Sequence, residues 1–152
     1  MAIVDIGDLR ADHRILGLDM GSKTIGLALS DVTRTVATPL RTIRRTKFAK
    51  DAGVLRSVID EMGVDALVIG LPLSMDGTEG PRCQSVRQFA ADLLETIDIP
   101  AAFWDERLST AAVERMLIGE ADLSRQRRAQ LVDKAAAAYI LQGALDALSN
   151  RE

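Results

Sequence analysis

The chain has 152 residues, 47% of them hydrophobic but only 3% aromatic, and a formal charge of −3. That length suits one compact domain with a core of Ala, Val, Ile and Leu, as in a sheet covered by helices, and the composition excludes collagen-like, low-complexity and disordered polymers. No apolar run approaches the ~20 residues that cross a bilayer, residues 1–13 lack the basic end and greasy centre of a signal peptide, and the single cysteine, Cys83, precludes an internal disulfide, so a cytoplasmic location without membrane contact is expected.

Residues 1–13 read as an N-terminal extension and residues 14–149 as a single α/β domain. Residues 15–18 form an apolar strand, and a polar turn through Gly21, Ser22, Lys23 and Thr24 leads to a second strand at 25–30. A third short strand near 36–42 completes an antiparallel meander. Residues 48–62 then carry Phe48, Ala52, Leu55, Ile59 and Met62 at helical spacing, with Gly63 as the natural stop. Residues 66–70 are continuously apolar, the pattern of a strand buried on both faces, and the polar stretch 74–82 after them is expected to be a mobile loop. A helix at about 83–97 precedes Pro100, and a buried strand at 101–104 ends abruptly in Asp105, Glu106 and Arg107. Ser109 or Thr110 can cap a helix running to Ile118, and the last helix covers about 125–148. The expected product is a mixed five-stranded sheet, a three-strand meander plus parallel strands, flanked by helices in the RNase H-like order.

The lone histidine, His13, has no second His or Cys nearby to share a zinc ion, and any His-assisted nucleophile would depend on it alone. The 22 acidic residues offer oxygen ligands for a hard cation instead. Asp19 follows the first strand where Gly21 lets the backbone turn closely, so it is a candidate ligand, the alternative being an Asp that hydrogen-bonds turn amides. Asp105 and Glu106 leave the end of a buried strand, and alternation lets only one of them point at a given site. Glu106 is favoured, with Asp105 better suited to orient Arg107 or cap the following helix. Asp133 lies on the last helix and shares a face with Gln130, Ala137 and Ile140, beside the small Ala135–Ala138 run. Alone it would read as a solvated acid; the other two acids give it weight. Carboxylates gathered without a cation repel one another and retain protons, so the cluster calls for Mg²⁺ or Mn²⁺.

The segment from Gly70 to Arg82 combines Gly70, Gly77 and Gly80 with Pro72 and Pro81, which suits a substrate-binding lid as well as an ordinary surface connection. Arg82 and Arg107 are candidates for phosphate contacts, against the alternative of surface ion pairs. Two basic clusters relieve the acidic total: Arg41, Arg44, Arg45, Lys47 and Lys50, and then Arg125, Arg127 and Arg128. With Lys23 in the first turn, Arg44, Arg45, Arg127 and Arg128 are the candidates for gripping phosphates beside a cut, the alternative being solvated faces.

Four segments occur in the order of a known family: Gly17 to Ala28 with Ser30-Asp31, the Gly70 to Arg82 loop, Asp105-Glu106-Arg107-Leu108-Ser109-Thr110, and Val132-Asp133-Lys134-Ala135-Ala136. Over nearly everything after residue 14 the chain resembles the YqgF/RuvX family, RNase H-like relatives of the Holliday-junction resolvase RuvC. The resemblance implies a nuclease that helps mature the 5′ end of pre-16S ribosomal RNA, with Asp19, Glu106 and Asp133 as metal ligands and precursor ribosomal RNA, including ribosomal particles, as partner. Thr24 stands where many relatives have Arg. Three other readings stay open. One is a RuvC-like resolvase of four-way DNA junctions, which needs two active sites and so a homodimer rather than a monomer. Another is a catalytically silent RNA-binding or assembly protein. The third, an actin-like ATPase suggested by Asp19, Gly21 and Gly26, calls for two such domains where this length holds one.

Overall fold

The computed structural model describes residues 3–107 and 125–150, with side chains in the last helix described from Ala135 onward. The helix expected before Ile118 lies outside the described residues. The described elements are β1 (Arg14–Met20), β2 (Thr24–Ser30), β3 (Ala37–Arg44), α1 (Phe48–Met62), β4 (Val64–Leu71), α2 (Pro81–Thr96), β5 (Ala101–Asp105) and α3 (Arg125–Ser149). The strands lie in the order β3-β2-β1-β4-β5. β1, β2 and β3 pair antiparallel, while β4 runs parallel to both β1 and β5. This is the mixed sheet expected from the sequence.

Alternation along the strands divides the core between two faces. Leu16, Leu18, Leu67 and Ile69 meet Leu55 and Ile59 of α1 and Phe89 and Leu93 of α2. On the other face Ile15, Ala66, Val68 and Ala102 meet Ala137, Ile140, Leu141 and Ala144 of α3. Both faces are covered, which is why β1 and β4 read as near-continuous apolar runs. α3 packs closely because the sheet offers glycine beneath it. A Cβ on Gly17 would stand 2.8 Å from Leu141 Cβ and 3.3 Å from the Ala137 carbonyl oxygen. Asp19, two residues beyond Gly17 on β1, shares the sheet face that α3 covers.

Helix ends follow local chemistry. α1 stops where Gly63 takes a left-handed conformation, φ 67°, and its N–H reaches the Ile59 carbonyl. α2 begins at Pro81, two residues earlier than expected, because a proline in the first turn has no N–H to leave unpaired. The segment before β1 is packed: Val4 N–H donates to the Ala101 carbonyl at 2.9 Å, a 3₁₀ turn covers Ile6–Asp8, and Leu9 is buried in the α3-side core.

Candidate active site

Asp19 and Glu106 arrive from strands that do not touch. β1 and β5 flank β4, and the register that aligns Leu18 with Ile69 and Gly70 with Trp104 brings Gly70 between the two acids. Gly70 has no side chain to fill that gap. Glu106 Oε2 sits 3.6 Å from the point its Cβ would occupy, with Ile140 Cδ1 of α3 only 2.8 Å from the same point. The side chains of Asp19 and Glu106 are hydrogen-bonded to each other. Burial pushes the Glu106 carboxyl up to about 7, reinforced by the charge of Asp19 and their hydrogen bond, while Arg82 pulls the other way. Folding has set two carboxyl groups against each other.

The adjacent acid has another fate. Asp105 Oδ1 accepts from Arg107 N at 3.0 Å and from Nε at 3.0 Å, and Oδ2 accepts from Nη2 at 2.6 Å. These bonds hold the Asp105 carboxyl below the usual carboxylate range. The pair is thus split where β5 ends, one acid into an ion pair and the other toward Asp19. The turn after Asp19 is satisfied by backbone alone, Gly21 N–H donating to the Thr24 carbonyl at 2.8 Å.

Arg107 also reaches the connection between β4 and α2, donating from Nη1 to the Met75 carbonyl at 3.2 Å. That segment, expected as a mobile loop, carries a hydrogen-bonded turn of its own. Ser74 N–H donates to the Thr78 carbonyl at 2.9 Å, Gly77 N–H to the Ser74 carbonyl at 2.8 Å, and Thr78 N–H and Oγ1 to Asp76 Oδ1 at 3.0 and 2.6 Å. Gly77 supplies the left-handed residue, φ 88°, that the turn requires. Arg107, a sequence candidate for phosphate, is therefore engaged by Asp105 and this turn.

The remaining candidates are dispersed. Lys23 is exposed in the β1–β2 turn and Arg44 is exposed at the end of β3. Arg45 turns inward, and its Nη1 donates to the Gly21 carbonyl at 2.7 Å. Arg82 stands in the first turn of α2. Asp133, Arg127 and Arg128 lie outside the described side chains. Among the described residues no three His, Cys, Asp or Glu side chains gather around one point. Asp19 and Glu106 therefore supply the described part of any cation site. Their chemistry fits one, because hard oxygen donors are crowded against their own repulsion and a divalent ion would relieve it. Cys83 is buried and its thiol donates to the Pro72 carbonyl at 3.2 Å, a structural role. Two features of the site escaped sequence reading: the gap at Gly70, readable only once β4 is known to lie between β1 and β5, and the inward turn of Arg45.

The family RuvX, described as Holliday junction resolvase, matches residues 13–147. The chain belongs to the RuvX family. A relative from Paramagnetospirillum magneticum, named "Putative pre-16S rRNA nuclease", is 67% identical over 141 residues, spanning 93% of this chain and 90% of the relative. Another of the same name from Phenylobacterium zucineum is 58% identical and covers 99% of each chain. Among solved structures, T. thermophilus RuvC in complex with Holliday junction substrate superposes with a TM-score of 0.54 at 15% identity, over 91% of this chain and 97% of that one. The yeast mitochondrial Holliday junction resolvase does so with a TM-score of 0.55 at 11% identity, over 96% and 84%. These structures establish for this RuvX protein an RNase H-like, RuvC-like fold. With its family and named relatives, the chain is a nuclease, a hydrolase of phosphodiester bonds.

Proposed function

We propose that this nuclease cleaves precursor 16S ribosomal RNA near its 5′ end, using Asp19, Glu106 and Asp133 to hold Mg²⁺ or Mn²⁺. The observation that carries the reading is the pairing of Asp19 with Glu106 across Gly70, which crowds two oxygen-donor side chains together and raises the Glu106 carboxyl. Asp133 is included because it stands four and seven residues before Ala137 and Ile140, both fully buried against the sheet face that Asp19 shares. When bound, a divalent ion supplies the charge that activates water and steadies the departing oxygen.

The chain's own groups do the rest. Glu106, whose carboxyl is raised to about 7, must lose its proton before it can donate oxygen beside Asp19. Asp105 and Arg107 hold the end of β5 and tie the Met75 turn to it, fixing one wall of the site. The RNA substrate follows from the names of the relatives, and a cytoplasmic location suits Cys83, a buried free thiol. The description of the family favours a second reading, paired incision of four-way DNA junctions by a homodimer.

The deciding experiment measures Mg²⁺- or Mn²⁺-dependent cleavage of precursor 16S RNA and of labelled four-way DNA junctions by the parent protein and Asp19→Asn. Metal-dependent cleavage of the RNA, lost in the variant, supports the proposal. Cleavage by parent and variant at equal rates overturns it, and preference for junctions by a dimer transfers the activity to DNA.

A further inference from the structure

A small cleft opens at the end of the sheet where the acids lie, on the face that α2 covers. It has a volume of about 110 Å³ and lies between the β1–β2 turn and the first turn of α2, lined by Gly21, Ser22, Arg45, Arg82 and Ser85, with Met20, the neighbour of Asp19, at its edge. Arg44 and Arg45 are adjacent in a basic cluster, yet only Arg45 enters this cleft. Its backbone N–H donates to the Lys23 carbonyl at 2.8 Å and its Nη1 to the Gly21 carbonyl at 2.7 Å. Its guanidinium lies 5.5 Å from the centre of the Phe89 ring, which is itself packed edge-on against Phe48. A cation held by backbone and an aromatic face has lost its rotamer freedom before any ligand arrives.

Arg82 approaches from a different element. It follows Pro81 at the start of α2, where the helix dipole adds partial positive charge. Its charge opposes the upward push on the Glu106 carboxyl. Two other arginines in this part of the molecule are neutralised: Arg87 by Glu79, Nε to Oε1 at 2.6 Å, and Arg107 by Asp105, Nη2 to Oδ2 at 2.6 Å. Among the described residues neither Arg45 nor Arg82 has a carboxylate at ion-pairing distance. Two arginines, one of them fixed, thus converge with two serine hydroxyls on a volume suited to a small oxyanion.

We propose that this cleft is a phosphate subsite in which Arg45 and Arg82 clasp the phosphodiester adjacent to the one cleaved at Asp19 and Glu106. The inference rests on the nuclease reading and deepens it: the substrate strand must continue past the β1–β2 turn, and register along it is set by two guanidiniums rather than by base contacts. Surface cations such as Arg44 add attraction without register.

The test uses the full chain and a 12-nucleotide single-stranded RNA in which one linkage at a time is a neutral methylphosphonate. Neutralising the linkage next to the cut should raise KM roughly 10- to 100-fold in the parent, with kcat within threefold. The same loss should appear in Arg45→Gln/Arg82→Gln with ordinary RNA, and the neutral linkage should then add nothing. Equal and additive losses in parent and variant would overturn the subsite. Arg82→Gln alone guards against misfolding, because the Arg82 side chain is exposed, and Arg45→Lys keeps the charge while removing the fork. Fluorescence anisotropy without divalent ions separates this inference from the one beneath it. If the parent cleaves nothing, the nuclease reading fails, and the subsite still stands or falls on whether the double variant binds the RNA more weakly than the parent.

Discussion

Asp19 and Asp31 sit at opposite ends of one β-hairpin and meet opposite environments. Asp31 follows β2 and is saturated with donors: Thr33 Oγ1, Thr35 N–H at 2.7 Å and Val36 N–H at 3.1 Å. These bonds pull its carboxyl down to about 2. Asp19 is set against Glu106, and the burial that joins them pushes Glu106 up to about 7. One acid closes a turn; the other faces a second carboxyl. Under the proposed function, the contrast separates scaffold from chemistry by what faces each carboxyl.

The largest test of the contrast exchanges one oxygen for nitrogen. Asp19→Asn should lower metal-dependent cleavage roughly 1,000-fold while leaving RNA affinity within a few-fold. Removing the repulsion should also leave the melting temperature equal or higher, as expected where an acid serves function at some cost to stability. A variant that melts well below the parent would show Asp19 to be structural.

Next in size are the glycines that seat α3. Gly17→Ala drives a Cβ into Leu141 Cβ and the Ala137 carbonyl, atoms of the helix itself, and should cost about 1–3 kcal/mol in denaturant unfolding. Gly70→Ala meets the flexible tip of Ile140 and the Glu106 carboxyl, so it should cost less stability and more activity. The reverse ranking would mean that Gly70 does not set the spacing of the acids.

A smaller effect follows from protons. In the folded chain Glu106 titrates near 7, and in the unfolded chain near the ordinary 4.5. Below both values the carboxyl is protonated in either state; above both it is ionised in either state, and only the folded chain carries the repulsion. Stability of the metal-free protein should therefore fall as pH rises between about 4.5 and about 7. Mg²⁺ should raise the melting temperature more at the upper end of that window than at the lower. A metal-free melting curve that is flat across it in parent and Asp19→Asn alike would contradict the raised Glu106 carboxyl.

The smallest effect belongs to Asp31. Its lowered carboxyl stabilises the fold above the ordinary 3.8, and that contribution is lost as pH falls toward about 2, a window separate from that of Glu106. Asp31→Asn should lower the melting temperature by a few degrees and leave the cleavage rate per folded molecule unchanged.

Local signals made the elements readable. α1 occupies the predicted residues because its apolar period and the left-handed Gly63 are both local. The split of Asp105 from Glu106 falls where β5 ends, and the pairing of Asp105 with Arg107 is also local. What stayed hidden depends on which strands become neighbours. Nothing in the sequence around Gly70 says that an acid from β5 will lean across it, and nothing around Leu9 says that the chain before β1 will fill the α3-side core. Strand β4 extends to Val64 and Leu71, past the apolar stretch that marked it, because parallel pairing with β1 begins beside Arg14. The basic cluster at 41–50 was visible as composition, but only the fold distinguishes Arg45 from Arg44.

The seat of α3 on Gly17 and Gly70, with Gly143 receiving the Trp104 ring in return, leaves the helix one position along the sheet. A single residue inserted between Asp133 and Ala137 would turn everything upstream by roughly 100° while the seat holds fast. Such insertions are often harmless on a loosely packed helix. Under the proposed role of Asp133 as a cation ligand, the count of residues from the seat to Asp133 is itself constrained, and natural length variation should fall elsewhere in the chain.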